Sequence, residues 1–334
     1  MKILVTGAAG FIGFHTVKKM ISLGYEVVGI DNINNYNETD LKKARLQALG
    51  INTTVITDNQ FLLSTSYSNF KFAKIDIRDI DILQALFKNE KFDKVCHLAA
   101  KAGVRSSIKE PTTYLENNID GFLNVLECCR LGCKTLIYAS SSSVYGNAKT
   151  YPLKEDANTD YPENVYAVTK KVNELLAYTY RDLYQVESVG LRFFTVYGPW
   201  GRPDMAPMLF ADAIYNKKPI TVFNYGDLYR DFTYIDDIVK GIECVITSQS
   251  KTLQPIYNVG NSNPIKLSTF IEVLENEIGI KAIQELTEMQ LGDVYKTFAD
   301  ISALKADFNY APTTDLSTGI KKFVDWYISY YSNK

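Results

Sequence analysis

Histidine is nearly missing from this chain: its 334 residues include two, His15 and His97. An imidazole-based catalytic apparatus, or a His-rich metal site, has little to draw on, so acid–base chemistry must rest on another side chain. The five cysteines, Cys96, Cys128, Cys129, Cys133 and Cys244, form no C-x-x-C pair and sit mostly in apolar surroundings. They read as reduced core thiols, and no metal site is expected. Charge of one sign is not in excess either, with a net charge of −2 and no Lys/Arg cluster. This argues against a nucleic-acid partner. No apolar run reaches the roughly 18 residues of a membrane span, so no membrane association is expected. The first apolar run begins at Lys2, which leaves no room for a leader, and a cytoplasmic location is the expectation. Internal repeats and low-complexity tails are also missing.

Short apolar runs alternate with helical patterns through the first 200 or so residues. The strands read as Ile3–Thr6, Glu26–Ile30, Lys71–Ile75, Lys94–Leu98, Thr135–Ala139 and Ser188–Phe193. The helices read as Phe11–Ser22, Asp40–Leu49, Ile80–Phe87, Thr113–Arg130 and Tyr166–Tyr184. Such alternation gives an α/β fold, a doubly wound parallel sheet with helices on both faces. The polar stretch Gly50–Phe70 reads as a surface excursion. Beyond Gly198 the pattern loosens. Helices are expected at Ala206–Asn216, Ile235–Ser248, Leu267–Ile278 and Gly319–Tyr331, with strands at Ile220–Phe223 and Ile256–Val259. This is a smaller C-terminal α+β portion. The expected division is 1–197, with 234–260 returning to it, against 198–233 and 261–334.

The stretch "KILVTGAAGFIG" places Gly7, Gly10 and Gly13 between the first strand and the first helix. The first glycine permits a tight turn, the second lets a pyrophosphate approach the backbone, and the third lets helix and strand pack closely. The helix N-terminus then offers unpaired N–H groups and partial positive charge to phosphate. The spacing is G-x-x-G-x-x-G, one step away from G-x-G-x-x-G. Asp31, 18 residues past Gly13 at the end of strand two, is placed to accept both hydroxyls of an adenosine ribose. An acid there disfavours a 2′-phosphate, so NAD is expected rather than NADP.

Tyr166 and Lys170 stand four residues apart in "NVYAVTKKVNELL" and share a helix face. A phenol, with a pKa of about 10, is a poor base at neutral pH. A neighbouring ammonium and a nicotinamide cation would favour the phenolate; lowering its pKa by about 3 requires roughly 4 kcal/mol. "ASSSSVYG" (Ala139–Gly146) lies at the carboxyl end of the fifth strand, where ligands gather at a parallel sheet. A serine hydroxyl there can bridge a substrate hydroxyl and the tyrosine.

This combination resembles the extended short-chain dehydrogenase/reductase family, the nucleotide-sugar epimerases and dehydratases. The resemblance spans nearly the whole chain, through "TGAAGFIG", "DIRD", "HLAAKAGVRSS", "NNIDG", "ASSSSVYG", "YAVTK", "LRFFTVYGPWGRPDM" and "RDFTYIDDI". It implies a Rossmann-type fold and NAD held by Gly7, Gly10, Phe11, Ile12, Gly13, Asp31, Asn32, Asp76, Ile77, Leu98, Ala99, Ala100, Lys101 and Asn118, with Tyr166 and Lys170. Asp76 and Ile77 would sit beside the adenine. It also implies a UDP- or dTDP-sugar under the smaller portion, with catalytic Tyr166 and Lys170. Ser141 matches the family's catalytic Ser/Thr, followed by Ser142 and Ser143. Arg230 matches an arginine on the nucleotide phosphates. A homodimer packed through Thr113–Arg130 and Tyr166–Tyr184 is a further implication.

Dehydratases and decarboxylating relatives resemble one another in having an acid just before V-Y-G; this chain has Ser143. With no carboxylate placed to remove a C5 proton, 4-epimerisation remains. Where epimerases of neutral UDP-glucose carry Asn and Glu, this chain has Thr195 and Arg105, and with "YGPWGRPDM" it looks like bacterial UDP-glucuronate 4-epimerases. A cation near the sugar suits a C6 carboxylate, and Arg105 and Arg202 are the candidates. Gln290 stands where some relatives have a phosphate-binding arginine, which shifts that role toward Arg230. Three alternatives stay open: a 4-epimerase for UDP-glucose or UDP-N-acetylglucosamine, a decarboxylating enzyme, and a catalytically silent NAD-binding protein.

Overall fold

The computed structural model describes residues 1–35, 39–249, 253–290 and 292–332. The chain begins β1 (Lys2–Thr6), α1 (Phe11–Ser22), β2 (Glu26–Asp31), α2 (Thr39–Ala48), β3 (Phe61–Leu63), β4 (Phe70–Lys74), α3 (Ile80–Glu90) and β5 (Lys94–His97). It continues α4 (Val104–Lys109), α5 (Pro111–Leu115), α6 (Gly121–Leu131), β6 (Thr135–Ser141), α7 (Val165–Tyr184) and β7 (Glu187–Phe193). Then come β8 (Thr195–Tyr197), α8 (Ala206–Tyr215), β9 (Pro219–Val222), β10 (Tyr229–Tyr234), α9 (Ile235–Thr247) and β11 (Ile256–Val259). The last elements are β12 (Pro264–Lys266), α10 (Leu267–Ile278), β13 (Ile283–Leu286), α11 (Ser302–Phe308) and α12 (Leu316–Tyr331).

The large sheet has the order β11-β7-β6-β5-β1-β2-β4-β3. Every pairing in it is parallel except β3 on β4. β1 has β2 on one side and β5 on the other, so the connections reverse direction there and leave a crevice at the strands' carboxyl ends. The continuous apolar run of β1 follows from burial on both faces. Ile3 and Val5 join one core with Phe14 and Val17 of α1 and Ile242 of α9, whereas Leu4 faces the other with Phe122 and Val125 of α6. A third core gathers Phe232 and Tyr234 of β10, Phe270 and Leu274 of α10 and Phe323 of α12. Two small sheets, β12-β10-β8 and β13-β9, complete this portion.

The helix expected over Thr113–Arg130 is broken. A single π turn, Glu116–Asp120, separates α5 from α6. Two asparagines at that turn turn to other partners: Asn117 Nδ2 donates to Thr113 O (2.8 Å), and Asn118 Nδ2 to Lys101 O (2.9 Å) and Thr169 Oγ1 (3.0 Å). The Gly50–Phe70 excursion is not wholly irregular, because its Phe61–Leu63 triplet pairs antiparallel with β4 as an edge strand. The short strands β8, β10, β12 and β13 carry too little alternation to stand out in the sequence.

Candidate active site

The turn between β1 and α1 needs its glycines. Gly7 has φ +71°, and a Cβ there would lie 2.8 Å from Ala99 N. A Cβ on Gly13 would lie 2.0 Å from Gly7 O, so helix and turn can approach only without one. Gly10 starts α1 with no side-chain cap, and no acid occupies the first turn. A Cβ on Gly10 would meet Gly7 O at 3.0 Å, and Gly10 itself lines the cavity. The helix end is therefore open to an anion. Asp31, buried at the end of β2, accepts from Ala9 N (3.2 Å) and Ile33 N (2.9 Å), with Lys42 Nζ 3.7 Å away. This cradle, with an oriented carboxylate at its far end, fits an adenine dinucleotide.

At the other end of the cavity stand Tyr166 and Lys170, on the first turns of α7. Asn164 caps that helix through Ala167 N (2.9 Å), which fixes where the face begins. Lys170 is buried; its Nζ donates to Ala139 O (2.8 Å) and lies 6.0 Å from the Tyr166 ring centre. Burial pulls its ammonium down to about 8, against the opposing charge of Glu174 one turn on. The β6 strand ends in Ser141, which caps a short 3-10 turn: Ser143 N donates to Ser141 Oγ (3.2 Å), and the two hydroxyls are 3.1 Å apart. Behind this corner Arg192 grips Glu174 by two 2.8 Å bonds, and Ser140 Oγ donates to Glu174 Oε1 (2.6 Å). The same guanidinium donates to Tyr145 Oη (2.9 Å), whose hydroxyl reaches Asn258 (2.7 Å). The network holds β6, β7, β11 and α7 in register under the serines.

The cavity, about 320 Å³, opens into an outer one of about 670 Å³. Ser142, Ser143, Thr195 and Met205 line both, so the two form one cleft. Arg202 sits in the inner part, donating to Ala102 O (3.0 Å) and Asp204 (2.6 Å). Arg230 lies in the outer part, 3.0 Å from Asp293. Arg105 lies there too, with its guanidinium over the Phe223 ring (4.8 Å).

The model of the NAD dependent epimerase/dehydratase family matches residues 3–260. This chain belongs to that family. Protein CapI of Staphylococcus aureus is 44% identical, over 99% of each chain. UDP-glucuronate 4-epimerase 4 of Arabidopsis thaliana is 42% identical, over 99% of this chain and 76% of that one. Among solved structures, UDP-glucuronic acid 4-epimerase from Bacillus cereus, in complex with UDP-glucuronic acid and NAD, superposes with a TM-score of 0.89. It is 35% identical, over 99% of this chain and 100% of that one.

The cleft brings together most of the residues singled out from the sequence of this family member. Gly7, Gly10, Phe11, Ile12, Gly13, Asp31, Asn32, Ile77, Leu98, Ala99 and Ala100 line the inner part with Ser141, Ser142, Ser143, Tyr166, Lys170, Thr195 and Arg202. Asp76, Lys101 and Asn118 stand one step back. Asp76 accepts from Asn32 Nδ2 (3.0 Å) and Arg78; burial raises its carboxyl, but the bonds from Arg78 and Asn32 outweigh this and hold it at about 2. Asn118 is buried, clasps the Lys101 backbone (2.8 and 2.9 Å), and leaves the cavity wall to Asn117. Of the two candidate cations, Arg105 and Arg202, only Arg202 shares the inner part with Tyr166. Sequence reading missed the Glu174–Arg192 pair and Arg45. The one available signal for the pair was a carboxylate four residues past Lys170 on the same helix face.

Proposed function

We propose that this protein is an NAD-dependent UDP-glucuronate 4-epimerase that interconverts UDP-glucuronate and UDP-galacturonate. The observation that carries this reading is one cavity shared by the glycine turn, the Tyr166–Lys170 pair, the serine corner, Thr195 and Arg202, with Ser143 and no acid before Val144. Asp31 would hold the ribose hydroxyls of NAD and the N-terminus of α1 its diphosphate, with Tyr166 and Lys170 at the nicotinamide end. When bound, it supplies a reversible acceptor for the hydride at sugar C4.

The chain's own residues handle the proton and the orientation. Tyr166 Oη takes the O4 proton as the 4-keto sugar forms, and returns it after the sugar has turned its other face to the cofactor. The Lys170 ammonium, held by Ala139 O, favours the phenolate. Ser141 Oγ bridges the phenol and the sugar oxygen. Arg202 and Thr195 hold the C6 carboxylate, where a planar guanidinium gives two parallel bonds. Arg230 serves the UDP phosphates, and Arg105 borders the mouth over Phe223. The division of labour is 1–197 with 234–260 for NAD, against 198–233 and 261–334 for the nucleotide sugar; β11 in the large sheet supports the return.

We also infer a homodimer. Leu175 (55% exposed), Tyr178 (65%) and Leu183 (62%) leave an apolar surface along α7. The five free thiols, four of them buried, suit a reducing cytoplasm. The test of the reaction is incubation with UDP-glucuronate, UDP-glucose and UDP-N-acetylglucosamine, with product anomeric protons read by NMR. UDP-galacturonate from the first, well ahead of conversion of the others, is the expected result. Faster conversion of a neutral sugar, release of CO₂ with a pentose product, or no conversion at all would each replace the reading with one of its alternatives.

A further inference from the structure

The loop that presents Arg202 is tied to the cofactor side of the cleft by three successive carbonyls. His15 Nε2 on α1 lies 2.9 Å from Pro199 O. A carbonyl only accepts, so that nitrogen carries the proton. Arg45 on α2 is 2% exposed. Its guanidinium donates to Trp200 O (2.7 and 3.2 Å) and Gly201 O (3.2 Å), and at its other end to Ala9 O (2.9 Å) inside the glycine turn. Trp200, between those carbonyls, has φ +63°, a left-handed conformation that a non-glycine residue keeps only when its surroundings enforce it. The indole packs on Phe14 (5.4 Å), Trp326 (5.4 Å) and Tyr330 (5.2 Å). Arg202 is the next residue after the clamped three.

We propose that Arg45, assisted by His15, is a positioning residue for substrate selection: it fixes the strained loop that aims Arg202 and ties that aim to the glycine turn. Neither side chain needs to touch the sugar. The planar fork of Arg45 spans carbonyls on two segments that are far apart in sequence, which one ammonium could not do with the same geometry. Burial pushes the His15 imidazole down to about 4, with the Arg45 and Lys18 charges adding to the effect, so His15 is a neutral donor and the clamp does not switch across physiological pH. A loosened loop lets Arg202 drift. A bidentate bond to a carboxylate loses far more from that drift than apolar or hydroxyl contacts do.

The inference rests on Arg202 as the group that reads the C6 carboxylate, and its test keeps the two apart. Binding of UDP-glucuronate and UDP-glucose to the NAD-loaded enzyme is measured by calorimetry for the parent, Arg45→Met, His15→Phe and His15→Gln. The parent preference for UDP-glucuronate tests the proposed function by itself. Given that preference, Arg45→Met is expected to lose about tenfold or more in the ratio of the two affinities, the scale of a charged hydrogen bond. His15→Phe is expected to lose less. His15→Gln, whose amide can still donate to Pro199 O, is expected to recover most of the loss. In an Arg202→Ala background, Arg45→Met should change the ratio no further. Equal losses for both sugars, or an unchanged ratio in Arg45→Met, would overturn the proposal. If Arg45→Met does not fold, an unchanged ratio in His15→Phe overturns it.

Discussion

Tyr166 and Lys170 share a face because both lie in the first turns of one capped helix, and their spacing on a 3.6-residue period does the rest. Tyr166→Phe removes one hydroxyl from a cavity wall. It should fold and retain NAD, yet lose at least about 10²-fold in turnover, the scale of general acid–base catalysis. Steady-state assays beside the cofactor absorbance of the purified protein check both halves; near-parental turnover would release Tyr166 from its role. At the far end of the cleft, Asp31→Ala should weaken NADH binding, while NADPH, already repelled by that carboxylate, should lose less or gain. Fluorescence titration with the two reduced cofactors measures this, and equal losses would indicate a damaged fold instead. Tyr166, Lys170, Ser141 and Asp31 were legible in the sequence because each is defined by a local offset from a strand end or a helix start. Arg45 was not. Its partners, Ala9, Trp200 and Gly201, lie up to 156 residues away, and nothing local distinguishes it from a surface arginine.

The elements under the serine corner are joined by a buried charge pair. Arg192 on β7 and Glu174 on α7 are almost wholly enclosed, with side-chain exposures of 4% and 6%. Breaking such a pair by removing one partner leaves the other charge buried without compensation and costs about 3–5 kcal/mol. Arg192→Met should therefore lower stability on that scale. Replacing both partners, as Arg192→Met with Glu174→Leu, should recover much of the loss while disturbing Ser140 and the end of β6. Chemical denaturation of the three variants decides; additive losses would mean that the pair is not the unit of stability. At this scale most helices and large-sheet strands stand where the sequence pattern predicts them, because periods of 2 and 3.6 are local. The break in the helix over Thr113–Arg130 is not visible in that pattern, since the partners that draw Asn118 aside, Lys101 and Thr169, come from other elements.

For the whole molecule, the exposed stripe on α7 is the surface with a consequence. Val168, Leu175 and Tyr178 recur at helical spacing and are all exposed. If two copies pack there, Leu175→Glu combined with Tyr178→Glu should shift the sedimenting species from dimer to monomer and leave the far-ultraviolet circular dichroism unchanged. A parent that sediments as a monomer would end the dimer inference. Tyr166 and Lys170 lie on the same helix, so the monomeric variant should also turn over more slowly if packing there steadies α7.

The class of fold, the glycine turn and the shared face of Tyr166 and Lys170 follow from local pattern. Each of these is written in residues a few positions apart, where the backbone alone fixes their relation. The tertiary structure decided which arginine stands with Tyr166. Arg202 and Arg105 are equally cationic, and no local pattern in the sequence separates them. The β8–α8 loop carries Arg202 into the inner cavity, clamped through Pro199, Trp200 and Gly201, while the first turn of α4 leaves Arg105 at the mouth over Phe223. That choice depends on how two separate cores pack across the cleft, and packing between segments a hundred residues apart is set by shape and burial rather than by any local signal.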